Sequence, residues 1–340
     1  MVTGAPPARQ RAGRRWPRTD AHSPAMEVTG PIEFDALDLR SAFAGEAAVC
    51  ADAALLVKHA CESKGAFMIE GADLYGLSDD FLRRCDSALE AFFALPTEEK
   101  NKWKATKSKD PRGYSGYEEE NVYALTQKVG PPDPVEKLSF GVDDNVYPSE
   151  PQALEGLLQE YFYNVTRLSG AIFRLLAAAL GLPEDIFERH LTHQRSSMRC
   201  LHYPPLQAPK TNQHRMAPHT DIGVFTIVRS DDRPGSLEYS LDGDSAFQGY
   251  RHRPGSFIVQ IGDTLQSWTS QMWKSNRHRV GLPPPDPSGT SRFSIVYFQM
   301  VNFDSLIEPF EVYREVGEPT EPFMYGDYLE AKMGRMNTKV

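Results

Sequence analysis

Cysteine is scarce, with four residues in 340: Cys50, Cys61, Cys85 and Cys200. None sits in a Cys-x-x-Cys pair or at zinc spacing. Neither a disulfide framework nor a zinc module is expected, and free thiols in a reducing compartment are. Long apolar runs are missing too. No stretch approaches the roughly 18 residues of a membrane span, so no membrane partner is expected. Positive charge is in deficit: 37 Lys and Arg face 46 Asp and Glu, for a net −9. The first 25 residues hold five Arg and one Asp, so the remaining chain carries −13. Such an acidic body lacks the basic footprint that nucleic acid requires. Internal repeats are also absent.

What is present suits a globular fold. At 340 residues, 40% of them hydrophobic, the chain can form one large domain or two small ones with a substantial core. Residues 1–30 are rich in Arg, Pro and Ala without hydrophobic periodicity, and disorder is expected there. An acid-poor, Arg-rich start also fits an organelle transit peptide, an untargeted tail, or a true start at Met26. A cytoplasmic monomer is the expectation for the rest.

From Ile32 to Leu39 apolar and acidic residues alternate, which reads as a strand. Ala47–Glu62 reads as a helix with Leu55, Leu56, His59 and Ala60 on or near one face. Ala66–Ile69 is a short buried strand. Ser78 opens a helix through Phe93, and Pro96 ends it. Residues 97–150 are polar, with short strands around Tyr114 and around Leu138. Gln152–Leu180 is the strongest helix: Leu154, Leu158, Tyr161, Val165, Leu168, Ile172, Leu175 and Ala179 recur at steps of three and four, and Gly181 stops it. The sequon at Asn164 falls inside that run. After Ser196 the texture changes. Short β-rich runs (Met198–Tyr203, Gly223–Val228, Leu237–Leu241, Ser256–Ile261 and Arg292–Val301) are separated by turns such as Arg233–Gly235, Asp242–Gly243 and Arg253–Gly255. This pattern predicts a sandwich or barrel. Met324–Met333 reads as a terminal helix.

Met216 to Val228 carries the chemistry. It offers an imidazole at His219 and a carboxylate at Asp221, two residues apart. In an extended strand such residues face one side. One nitrogen and one hard oxygen then converge, as in two thirds of a facial triad for Fe(II). The third ligand must be a further histidine. His278 lies 57 residues after Asp221, far enough for the chain to cross a two-sheet sandwich and return. His252, beside a Pro-Gly turn, is the rival, and Arg flanks both. Arg292 and Ser294 share a strand face, where a guanidinium fork and a hydroxyl can grip a carboxylate. Tyr203 offers a third donor. Arg292 leads into the apolar run Ile295–Phe298, and a buried Arg requires an anion.

These elements occur in a fixed order: His219-Thr220-Asp221, Pro254-Gly255-Ser256-Phe257, Ile261-Gly262-Asp263-Thr264-Leu265-Gln266, Ser267-Trp268-Thr269, Ser275 to Val280, and Arg292-Phe293-Ser294. In that order and spacing the chain resembles the isopenicillin N synthase-like family of Fe(II)/2-oxoglutarate-dependent oxygenases over residues 31–335. The resemblance implies that His219, Asp221 and His278 bind Fe(II), and that Arg292, Ser294 and Tyr203 hold the far carboxylate of 2-oxoglutarate. It implies oxidation of a C–H of a small organic substrate by O2, with release of succinate and CO2. Hydroxylation is the default outcome, with desaturation and ring closure as variants.

The implied fold is mostly β with α. It is a distorted double-stranded β-helix, a cupin-like jelly roll, backed by the long helix. The expected division is an α/β cap over 31–150, scaffold helices over 151–195, the oxygenase core over 196–310, and a C-terminal helix and tail over 311–340. The family pattern is broken at Glu70-Gly71-Ala72, at Ser270-Gln271-Met272 and at Leu201. These positions border the cap or the substrate side, so the resemblance does not carry a substrate. Phe225, Trp268, Phe298 and Met300 are candidate substrate-lining residues, and Arg112, Tyr114 and Tyr117 a candidate lid. Two rivals remain at this level: an oxidase of the same fold that uses no 2-oxoglutarate, and a non-catalytic small-molecule binding protein.

Overall fold

The computed structural model describes residues 30–44, 48–105, 112–126, 128, 130–193, 195–206, 210–231, 236–241, 246–283 and 291–336. Segment 1–29 and the turns expected at Arg233–Gly235 and Asp242–Gly243 lie outside them. Among the described residues, no helix is long and apolar enough to cross a membrane. Cys61, Cys85 and Cys200 are buried free thiols, and Cys50 is a half-buried one.

Among the described residues, twelve of the strands form the two main sheets. In chain order they are β1 (Ala36–Asp38), β2 (Ala66–Glu70), β3 (Gly113–Ser115), β4 (Glu136–Phe140), β5 (Ser197–Tyr203), β6 (Met216–His219), β7 (Phe225–Ser230), β8 (Leu237–Ser240), β9 (Gln248–Gly249), β10 (Phe257–Ile261), β11 (Arg277–Val280) and β12 (Arg292–Gln299). The larger sheet has eight strands in the order β1-β2-β10-β7-β12-β5-β4-β3. The smaller has four, β9-β8-β11-β6. Pairing is antiparallel throughout except between β1 and β2. Residues 31–150 therefore supply strands to both edges of the larger sheet. The jelly-roll core is the one expected.

Strand parity gives the larger sheet two apolar faces. On β7, Phe225 and Ile227 face one way while Thr226 and Val228 face the other. The first face packs under helices and the second under the smaller sheet. The principal helices are α1 (Ala51–Ser63), α2 (Asp79–Phe93), α3 (Leu154–Leu180), α4 (Asp263–Trp268) and α5 (Tyr325–Met336). Helix α2 begins where Ser78 Oγ accepts from Phe81 N at 3.3 Å, with Asp79 and Asp80 in its first turn complementing the dipole. Helix α3 forms because its apolar residues make one wide stripe. It ends at Gly181, held at φ 68°, a left-handed stop that glycine adopts without steric cost. Its Phe173 meets Phe225 at 5.0 Å and its Phe162 meets Tyr297 at 5.8 Å. The long helix thus lies on the back of the larger sheet. The sequon residue Asn164 is buried in this packing and donates to Gly76 O at 3.3 Å.

One face was misread from sequence. Helix α1 buries Ala53, Val57, Ala60 and Cys61, whereas Leu55 is 64% exposed and His59 is exposed too. The small residues let α1 approach α3 closely, so the larger leucine points to water. After α4, Ser270 and Gln271 sit at φ 48° and 66°. The left-handed turn is therefore made here without glycine.

Two outcomes follow from the packing. Leu168 is fully buried in α3, so Leu168→Ala should lower the unfolding free energy by about 2–5 kcal/mol in urea titration; Leu55→Ala should change it by less than about 0.5 kcal/mol. His190 is buried against Trp268, accepts from Arg189 Nε at 3.0 Å, and is pushed down to about 4 by burial and then by Arg189. The unfolded chain then binds the extra proton between the ordinary histidine value and about 4. Stability should fall as pH drops through that window, and His190→Gln should flatten the fall in thermal melts.

Candidate metal and co-substrate site

The two histidines meet because of register. His219 ends β6, His278 lies in β11, and the two are directly paired across the smaller sheet. Their rings are 4.3 Å apart. Each is oriented by the same local device. His219 Nδ1 lies 2.8 Å from Ala217 O, and His278 Nδ1 lies 3.0 Å from Asn276 O. A proton on Nδ1 makes that bond and leaves Nε2 unprotonated. Both Nε2 atoms lie 3.8 Å from Asp221 Oδ1.

The Asp221 loop is pinned to the start of α4. Asp263 N donates to Asp221 O at 2.7 Å, and Gly262 N to Val224 O at 2.9 Å. The backbones pass so closely that a Cβ at Gly262 would collide with Gly223 O. The other carboxylate oxygen, Oδ2, is held by Thr226 Oγ1 at 2.6 Å and by the Gln260 amide. Tyr239 Oη donates to Gln260 Oε1 at 2.9 Å, which turns the amide nitrogen toward the site. That nitrogen also lies 3.2 Å from His278 Nε2.

All three candidate ligands are buried, and their donor atoms lie within 4.8 Å of one another. Burial, and then the neighbouring His278, push the His219 imidazole down to about 4. Burial opposes ionisation of Asp221, yet His278, His219, Thr226 and Gln260 together hold its carboxyl below the ordinary range. Neutral imidazole and ionised carboxylate are the protonation states that a divalent ion takes up. The donor set of two nitrogens and one oxygen, with room in front of it, suits non-haem Fe(II).

A second group lies on the larger sheet. Arg292 on β12 pairs across to Tyr203 on β5, and Ser294 to Leu201. Arg292 is buried with its guanidinium 5.0 Å from the Tyr203 ring centre. Its Nη2 donates to Ser230 Oγ at 2.6 Å and its Nη1 reaches Ser294 Oγ at 3.4 Å. Its Nε is buried without a hydrogen-bond partner among the described residues; Asp231 Oδ1 is 3.8 Å away. A second, fully buried guanidinium, Arg215, is depressed by burial and then by Arg292, and it shares the influence of Asp231. This end has positive charge and an unsatisfied donor to offer a carboxylate. Burial pushes the Tyr203 hydroxyl up to about 12, so it stays a neutral donor.

One cavity of about 600 Å³ joins the two groups. His219, Asp221, His278, Tyr203, Arg292 and Ser294 all line it. Val122, Leu125, Leu201 and Val296 make apolar wall, with Phe303, Asp304, Leu329 and Glu330 also on the lining.

Of the expected substrate wall, Phe298 and Met300 line this cavity. Phe225, Trp268 and Tyr114 do not. Phe225 is on the outward face of β7, under α3. Trp268 packs between Phe187, His190 and Phe310. Tyr114 is buried on β3, donating to Glu136 Oε2 at 2.5 Å, and so forms no lid. Arg112 is likewise buried, donating to Phe140 O at 3.0 Å, while Tyr117 is exposed. His252 lies 6.3 Å from Tyr250 and takes no part in the cluster. Sequence reasoning missed Thr226, Ser230, Gln260, Arg215 and Arg199. For Gln260 there was a signal: it is the one polar side chain in the apolar strand Phe257–Ile261.

Comparison with known proteins places this geometry. The model of the 2OG-Fe(II) oxygenase superfamily matches residues 194–300, and that of the non-haem dioxygenase in morphine synthesis N-terminal region matches 34–159. The chain belongs to the 2OG-Fe(II) oxygenase superfamily and is a 2-oxoglutarate-dependent dioxygenase, with Fe(II) and 2-oxoglutarate as its cofactor set. It is 30% identical over 303 residues to homoarginine-6-hydroxylase 2-ODD-233 of Oryza sativa, covering 82% of this chain and 87% of the relative. It is 28% identical over 265 residues to 2-oxoglutarate-dependent dioxygenase caaD of Aspergillus niger, covering 75% and 81%. Among solved structures, a full-length Neurospora crassa protein in complex with alpha-KG superposes with a TM-score of 0.77 at 25% identity, covering 91% of this chain and 98% of that one.

The ligand geometry yields a graded test. Thr226→Val and Gln260→Leu each remove one of the two donors to Asp221 Oδ2, and each should weaken Fe(II) affinity about 10–100-fold. His219→Ala and Asp221→Ala should abolish iron-dependent succinate formation with a near-native melting profile. Full turnover in either alanine variant would remove that residue from the ligand set.

Proposed function

We propose that His219, Asp221 and His278 hold Fe(II), and that Arg292, Ser294 and Tyr203 hold the far carboxylate of 2-oxoglutarate. The substrate is a small organic molecule in the apolar part of the same cavity, and the outcome is hydroxylation of a C–H. The observation that carries this reading is the shared cavity. Three buried metal-type donors stand at one station, and a buried guanidinium with an unsatisfied Nε at another.

Iron, when bound, supplies oxidation of the C–H by O2 with 2-oxoglutarate as co-reductant, which yields succinate and CO2. The chain's own groups do the rest. Arg292 neutralises one carboxylate of the co-substrate and so gives it a single orientation. Tyr203 and Ser294 complete the grip with neutral donors. Thr226 and Gln260 hold Asp221 Oδ2, which leaves Oδ1 facing the two imidazoles. The walls at Val122, Leu125, Val296 and Phe298 keep water from the reacting carbon. The cavity of about 600 Å³ suits a molecule of amino-acid to small-drug size beside the co-substrate. Homoarginine-6-hydroxylases of Oryza sativa, Arabidopsis thaliana and Glycine max are among the relatives, which makes amino acids the first class to assay.

Arg292→Ala leaves a carboxylate without its charged partner. It should weaken 2-oxoglutarate binding by about 2–5 kcal/mol, roughly 30-fold or more; Ser294→Ala should cost about 1 kcal/mol. Succinate formation measured against 2-oxoglutarate concentration checks both. An unchanged requirement in Arg292→Ala would return that residue to a structural role. Oxygen uptake that ignores 2-oxoglutarate would overturn the reading as a whole.

A further inference from the structure

The inner face of β5 carries two donors at different depths. Ser197, Arg199, Leu201 and Tyr203 all face the cavity. Tyr203 is paired with Arg292, and Arg199 with Val296, on the same two strands. Arg199 therefore stands four residues along from the co-substrate end, roughly 13 Å at strand rise. It is too far to share the carboxylate that Arg292 takes, yet it opens on the same space.

Its surroundings leave it with capacity. Arg199 Nη1 donates to Glu120 Oε1 at 3.2 Å. The other oxygen of Glu120 is taken by Lys137 Nζ, and both of those side chains are nearly buried. One carboxylate thus answers two cations. Burial opposes its ionisation, but Lys137 and Arg199 hold Glu120 down to about 2, and His219 acts on it as well. Arg199 and the three candidate ligands line the same cavity. Asp133 is the other acid near Lys137. Both its oxygens are committed to backbone N–H groups, of Val122 at 2.6 Å and Ala217 at 2.9 Å, and burial pushes its carboxyl up to about 7. The Arg199 guanidinium lies 5.3 Å from the Phe298 ring centre. Its remaining N–H donors have no protein partner among the described residues, and its side chain is one-fifth exposed, on the cavity wall.

The neighbouring wall offers nothing comparable. Val122, Leu125, Leu201, Val296, Phe298 and Met300 are apolar. Asp304, Asp327 and Glu330 are exposed carboxylates on the same lining, and they repel an acid there. An acidic group entering this pocket is drawn to Arg199.

We propose that Arg199 is a specificity-determining residue that receives a carboxylate of the substrate, so that the enzyme acts on small carboxylic acids. This rests on the co-substrate occupying the Arg292 end, as proposed above. A guanidinium anchored on one side by Glu120 presents its free edge in one plane, which matches the flat carboxylate fork. The anchoring also fixes the distance between the acid group and the metal station, and hence which carbon is presented.

The test compares acids with their primary carboxamides. L-Homoarginine, L-arginine, phenylacetate and hexanoate, each beside its amide, are titrated calorimetrically into the full chain loaded anaerobically with Fe(II) and 2-oxoglutarate. At least one acid should bind roughly tenfold or more tightly than its amide, as expected for a charge-assisted pair. The preference should vanish in Arg199→Gln and survive in part in Arg199→Lys. Because Arg199→Gln leaves Glu120 facing one cation fewer, the double variant Arg199→Gln/Glu120→Gln keeps the local charge balanced and should lose the preference equally.

Equal binding of acids and amides, no binding of any acid, or a preference that persists in both glutamine variants would overturn the proposal. 2-Oxoglutarate titrated into the same proteins reads the Arg292 end separately. Failure there in the native chain counts against the co-substrate assignment. The acid–amide comparison uses no turnover and stands apart from it.

Discussion

Two imidazoles and a carboxylate, all buried, face one another on the wall of one cavity. Their close approach is the constraint around which the rest of the structure is arranged. Three such groups converge at a shared point only if something positive stands between them or if they give up their ordinary protonation. Here each is fixed independently. The histidines are fixed by strand pairing and by carbonyls two residues upstream. The aspartate is fixed by a loop clamped to α4 and by Thr226 and Gln260 from the larger sheet. The smaller sheet thus brings the nitrogens and the larger sheet aims the oxygen. A preformed donor set of this kind loses little ordering free energy when an ion enters.

The same two-sheet arrangement separates tasks along one wall. At one rung, Arg292 and Tyr203 form a group suited to receive an anion, with Ser230 and Ser294 hydrogen-bonded to the guanidinium. Four rungs away the partners are Val296 and Arg199. The first rung suits a co-substrate that never changes. The second faces the apolar part of the cavity. Strand pairing sets the distance between them, so the two proposed roles are kept apart by register.

Much of this was legible in the sequence, for reasons of period and parity. The 3.6-residue stripe of Leu154–Leu180 is a long-range pattern that few alternatives share. His219 and Asp221 share a side because residues two apart in an extended chain do, and Arg292 and Ser294 likewise. What failed was which side. Phe225 belongs to the same short run as Thr226, but parity sends it under α3 while Thr226 reaches Asp221. Proximity in sequence to a motif is therefore a poor guide to which aromatic touches substrate. Leu55 failed differently: α1 uses Ala53, Val57 and Ala60 to sit close to α3, and a small-residue face is invisible to a search for large apolar side chains. Gln260, Arg215 and Arg199 were missed because each stands within a strand or beside one, and its meaning comes only from the partners that pairing brings to it.

The central claim is that one ferrous ion is bound by His219 Nε2, Asp221 Oδ1 and His278 Nε2. Anomalous diffraction at the iron edge, from crystals of the protein loaded anaerobically with Fe(II), reads it directly. The account predicts a single strong peak within bonding distance of all three atoms. A peak elsewhere, or density in which the His278 ring turns away from the ion, would contradict it.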